Sequence, residues 1–236
     1  MTRSTWSAVR PNRLTVAGRD EDNGLTGDLD IKYHVRITAF PSNDLAVIDA
    51  DELDRVFDIH STVMGAGVQL FGLAITGGDP GQGGDGGGIR ANATGLVSVV
   101  RADIYENRAV DGSALYQMLI SGNLSLTLTN VFHNQSQTGG AVRSDSNGDL
   151  LIANSSVFDN SHAGIIKQQG AGAVRINNST ISGHISGVYG QNVNMEIFHS
   201  SLVDNNQGLE WFSNNPASHT LAFYNTILTS NSTWNC

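Results

Sequence analysis

The sequence predicts an all-β chain wound as a right-handed parallel β-helix, and three observations carry that prediction. First, an eleven-residue pattern recurs from Val68, Val97, Leu124, Leu150, Val174, Met195 and Leu221. Second, its third place (Leu70, Val99, Leu126, Ile152, Ile176, Ile197, Phe223) and its eighth (Ile75, Ile104, Val131, Val157, Ile181, Leu202, Leu228) are never polar. First and third places share a face in an extended strand, where side chains alternate with period two, and not in a helix. Third, the copies start 29, 27, 26, 24, 21 and 26 residues apart, a period proper to solenoids.

Each element of the coil follows from this pattern. Places one to four form a strand, a second strand surrounds the eighth place, and the eleventh is a turn residue: Gly78, Asn107, Asn134, Asn160, His184, Asn205 and Asn231. Between copies runs a small residue followed by apolar ones: Gly87-Gly-Ile-Arg90, Ser113-Ala-Leu-Tyr116, Gly140-Ala-Val-Arg143, Gly164-Ile-Ile-Lys167, Gly187-Val-Tyr-Gly190 and Gly208-Leu-Glu-Trp211. These stretches add a further strand to each coil. Stacked coils lie about 4.8 Å apart, so every alignment column becomes a ladder in space. Eight to nine turns are expected, with the third and eighth places in the core.

Along the chain, residues 1–13 read as an N-terminal arm carrying Arg3, Arg10 and Arg13, and residues 14–236 as the β-helix. The early strands Leu14–Val16, Leu29–Ile31, Val35–Ile37, Val47–Ile48 and Val56–Ile59 fit the eleven-place pattern poorly, as capping coils do. The sequence stops just after its last repeat signal, which predicts a helix truncated at the C-terminus. Net charge is −9, from 13 basic and 22 acidic residues, the wrong sign for a generic nucleic-acid partner. The sequence has no apolar run of the roughly 18 residues that would suggest a membrane span, and the first ten residues contain no apolar signal region. Cys236 is the sole cysteine, so no internal disulfide can form.

Candidate chemistry lies in outward ladders. The fourth place of the short strand gives Arg90, Tyr116, Arg143, Lys167 and Trp211, with Gly190 between the last two. Such a column would offer cations to the carboxylates or sulfates of an acidic polysaccharide, and rings to stack on sugar faces. The alternative is a plain solvent-facing wall with edge-protecting charges. The tenth place stacks Glu106, His133 and Asp159, an arrangement suited to acid/base work or, equally, to accepting backbone N–H groups at a corner. Beside it Tyr105, Phe132 and Phe158 form an aromatic column. In the glycine-rich stretch Thr76–Gly88, Asp79 and Asp85 could offer oxygens to calcium, although the spacing departs from calcium-binding nonapeptides and a surface loop is the competing reading. No other cofactor is implied.

Several motifs carry a family resemblance: Gly27-Asp-Leu-Asp-Ile31, Asp54-Arg-Val-Phe-Asp-Ile59, Leu70-Phe-Gly-Leu-Ala-Ile-Thr-Gly-Gly78, Leu124-Ser-Leu-Thr-Leu-Thr-Asn130, Asn178-Ser-Thr-Ile-Ser-Gly183 and Asn225-Thr-Ile-Leu228. Together they resemble the β-helix repeat proteins of bacterial surfaces, and their order is closest to the choice-of-anchor Q group, which is similar in its repeats to polymorphic outer-membrane proteins. The resemblance spans about residues 14–236 and implies an extracellular or cell-surface setting. It brings no catalytic residues, and the family's sorting anchor and cysteine-containing motif are not found in this sequence.

Two functions follow. One is a surface module that binds an acidic polysaccharide or other surface glycan, or that spaces other domains. The other is a polysaccharide lyase, in which Arg143, Lys167 and Tyr116 would serve β-elimination on a uronate.

Overall fold

The computed structural model describes residues 11–19, 24–39, 44–60, 67–118, 122–168 and 170–232, and its regular structure is all strand. Residues 1–10 of the expected arm and Cys236 lie outside the described residues. Three parallel sheets of eight, nine and eight strands run the length of a β-helix, joined by one extra two-stranded pair. About seven turns result, close to the eight to nine expected.

The eleven-place pattern is the register of two of these sheets. In sheet I, Val68, Val97, Leu124, Leu150, Val174, Met195 and Leu221 pair in succession. In sheet II the same holds for Ile75, Ile104, Val131, Val157, Ile181, Leu202 and Leu228. Leu70, Val99, Leu126, Ile152, Ile75, Ile104, Val131 and Val157 are all fully buried. Each such side chain contributes about 1.5–3 kcal/mol relative to exposure, and stacking makes the contribution continuous along the axis. Sheet II begins within the expected arm, where Asn12 and Arg13 pair with Ile48 and Asp49.

Two sharp corners separate these strands, and both are left-handed. The fifth place has positive φ in Gly72, Arg101, Leu128, Asn154, Asn178, His199 and Asn225, and the tenth in Gly77, Glu106, His133, Asp159, Gly183, Asp204 and Ser230. This conformation costs about 1–2 kcal/mol for most side chains and least for Gly, Asn and Asp, which explains the recurrence of those types. Leu128, at φ 54, is a departure from that preference.

Ladders satisfy the corner backbone. Asn107 donates its side-chain amide to Asn134 Oδ1 at 3.0 Å, and Asn134 donates to Asn160 Oδ1 at 2.9 Å. The same amides also reach the carbonyls of Ile75 and Ile104, one coil back. A second ladder, which the sequence reading missed, uses hydroxyls: the N–H groups of Thr129, Ser155 and Ser179 donate to the hydroxyls of Ser155, Ser179 and Ser200.

Candidate functional site

Sheet III carries the predicted basic and aromatic column, and the structure keeps only part of it. Asp58, Arg90, Tyr116 and Arg143 occupy successive strands in register and face outward. The next partner of Arg143 is Ile166, followed by Tyr189 and Glu210, so Lys167 and Trp211 do not belong to this column. Lys167 pairs with Ser144 and points into the lumen, fully buried, where its Nζ donates to Ser144 Oγ at 3.0 Å and to the Ser146 carbonyl at 2.7 Å. Trp211 pairs with Gly190, packs against the core and donates its indole N–H to the Val193 carbonyl.

The cause is a slip of one residue. Gly87, Ser113 and Gly140 align with Ala163, Ser186 and Gln207, whereas matching on glycine alone starts the later copies at Gly164, Gly187 and Gly208. At Gly164, one place later, an added Cβ would come within 2.8 Å of the Gly187 carbonyl oxygen and 2.9 Å of the His184 ring. Shifting a strand by one place moves every side chain to the opposite face.

The remaining cations are neutralised. Arg90 pairs with both oxygens of Asp58. Arg143 Nε reaches Asp145 at 3.0 Å, its Nη1 pairs with Asp111, and Tyr116 donates its hydroxyl to Asp145 at 3.1 Å. Burial opposes the Arg143 charge, but Asp111 and Asp145 outweigh it and raise its pKa further. Burial, then Asp145, raises the Tyr116 hydroxyl as well. Neither group is placed to act as a base, and Lys167, brought down to about 8 by burial, is shut inside the lumen. Over Arg90 and Tyr116 the glycine-rich loop leaves a cavity of about 250 Å³. Asp85 at its edge is pushed up by burial and by Asp111.

Elsewhere the expected columns form with different consequences. Glu106, His133 and Asp159 sit on adjacent coils, exposed, each at a left-handed corner. Among the described residues no side-chain hydrogen bond or ion pair joins them, and the His133 backbone N–H donates to the Asp159 carbonyl at 3.2 Å; the His133 ring packs edge-on against Phe132, with ring centroids 5.2 Å apart. Tyr105, Phe132 and Phe158 stack with nearly parallel rings, centroids 5.2 and 5.1 Å apart. In the glycine-rich stretch, Asp79 accepts the Gly81 N–H at 2.8 Å and Asp85 accepts the Asp111 N–H at 3.1 Å, so both hold loop backbone. Among the described residues no group of three His, Cys, Asp or Glu is arranged to hold a metal ion.

A broad concavity lies where the aromatic stack ends. Below Tyr105, the coil carries Thr76 at the paired position, so no ring continues the column on that side. The space is part of a cavity of about 730 Å³ lined by Asp49, Asp51, Glu52, Thr76, Tyr105, Glu106, Arg108 and Gln135, among others. A second cavity of about 420 Å³ shares Arg108 and Gln135 and continues past Asp79, Gln82 and Gln137. Together they make a groove walled by amide, carboxylate and guanidinium groups, with one aromatic ring. Burial and the carboxylate of Glu106 raise the pKa of the Tyr105 hydroxyl, which places negative charge beside the ring. The sequence signal for this groove was the break from Thr76 to Tyr105 in the ninth place. Comparison with family models, curated proteins and solved structures found no match to this chain.

Proposed function

We propose that this protein is a β-helical binding module that holds an extended carbohydrate in the groove beside Tyr105. One observation carries the reading: two adjoining cavities, of about 730 and 420 Å³, meet at Arg108 and Gln135 next to the end of an aromatic stack. Planar polar side chains recognise hydroxyl pairs, and a ring covers the apolar face of a sugar. The volumes fall within or near the range of small-molecule sites. An extracellular or cell-surface setting, and kinship with the choice-of-anchor Q type of bacterial β-helix proteins, are part of the same proposal, supported by the repeat motifs quoted above.

Calorimetric titration with short neutral oligosaccharides tests it. Tyr105→Ala should weaken binding about tenfold, equivalent to roughly 1.4 kcal/mol, while leaving the thermal transition cooperative. Equal binding by a folded Tyr105→Ala variant, or no binding by the parent protein, overturns the reading.

A further inference from the structure

We infer that the groove prefers a glycan bearing protonated amino groups and rejects uronate polymers. The inference rests on the carbohydrate-binding reading above and concerns the charge of the sugar. The groove walls contain more carboxylates than cations, Asp49, Asp51, Glu52, Asp79 and Glu106 against Arg19 and Arg108, and Arg19 turns its guanidinium onto the backbone carbonyls of Leu53 and Glu52. Arg108 pairs with Glu52 at 3.1 Å, and Arg13, just outside, pairs with Asp49 at 3.3 Å and with Asp51 at 3.1 Å.

Glu106 is left over. Among the described residues no cation pairs with it, and the left-handed corner at φ 54 turns it outward, immediately after the Tyr105 ring. The ring is stacked on Phe132 on one side and borders the cavity near Thr76 and Gly77 on the other. A carboxylate beside an aromatic surface is the pairing that favours an organic cation, through Coulomb attraction and the ring quadrupole. A carboxylated sugar would meet the same field with the opposite sign, and the net charge of −9 adds long-range repulsion at low salt. This ordering is the reverse of the one that a free Arg90, Arg143 and Lys167 ladder would give.

The test compares short oligomers of glucosamine, N-acetylglucosamine and galacturonate, with spermidine as an amine lacking a sugar, by calorimetry at low ionic strength. The expected order is glucosamine over N-acetylglucosamine by about fivefold, with galacturonate weakest. Glu106→Gln should bring the first two together, chiefly by weakening the glucosamine oligomer. Equal affinities in the parent protein, or tighter galacturonate binding, overturn the inference while leaving the carbohydrate reading standing. Spermidine binding as tightly as the glucosamine oligomer overturns the sugar component. No binding by any oligosaccharide removes the underlying reading itself.

Discussion

His184 Nδ1 lies 3.1 Å from Asn205 Oδ1, which also accepts the His184 backbone N–H at 3.1 Å. On the other side its Nε2 lies 3.2 Å from the Asn160 amide nitrogen. An imidazole with its proton on Nδ1 therefore replaces an asparagine in the corner ladder, donating on one side and accepting on the other. Protonation would set two donors against each other at the Asn160 contact.

That arrangement makes stability depend on pH. Burial lowers the His184 pKa to about 4 from an ordinary value of 6.5. As pH falls through this window the unfolded chain takes up a proton that the native state refuses, so stability drops, by roughly 3 kcal/mol in full. Above pH 6.5 both states are neutral and the effect vanishes. His184→Asn should restore the ladder and flatten this part of the profile. Urea midpoints for the parent and the variant at neutral and mildly acid pH provide the measurement, and parallel profiles would show that His184 titrates freely.

Lys167 gives a slope of the same sign at alkaline pH. Its side chain is fully buried against Ser144 and the Ser146 carbonyl, and burial brings its pKa to about 8. Between about pH 8 and its ordinary value of 10.5 the unfolded chain keeps a proton that the native state has released. Stability from this group therefore rises with pH across that interval, by roughly 3 kcal/mol. Lys167→Met, similar in length and without the charge, should be as stable as the parent or more so at neutral pH, and should lose the alkaline rise. A variant several kcal/mol less stable would show that the ammonium holds the lumen together.

Lys167 also shows where the sequence stopped being informative. Columns anchored by Val157 or Ile152 were legible because an inward place tolerates only apolar residues, so seven copies constrain one another. The sheet III strands offered instead a small residue before an apolar pair, a weaker signal that fits two registers. The long polar side chain of Lys167 suited the outward face by composition, yet Ser144 and the Ser146 carbonyl supply acceptors inside. Gly164 is hemmed in by the Gly187 carbonyl and the His184 ring, contacts with residues of the next coil that no local pattern reveals. Ion pairs were hidden for the same reason, since Asp111 reaches Arg143 from the connection before its strand and no column contains both. The groove was legible only as an end, the point where Tyr105 follows Thr76.

The Arg143 pairs supply a last prediction that separates architecture from recognition. Asp111 is largely buried; its Oδ1 accepts the N–H groups of Gly112 at 3.0 Å and Gly140 at 3.1 Å, and its second oxygen meets Arg143. Burial nevertheless leaves the Asp111 pKa above its ordinary value, so much of what keeps it ionised is the guanidinium. Arg143→Ala removes that partner and also frees Asp145, and loss of one member of a buried pair destabilises by roughly 3 kcal/mol. Asp111→Asn in the same chain should recover part of the loss, because a neutral amide needs no counter-charge. The measurement is the urea midpoint of the single and double variants at neutral pH. An Arg143→Ala protein as stable as the parent would mean that the pair is solvated and weak, which would return sheet III to consideration as a ligand-binding face.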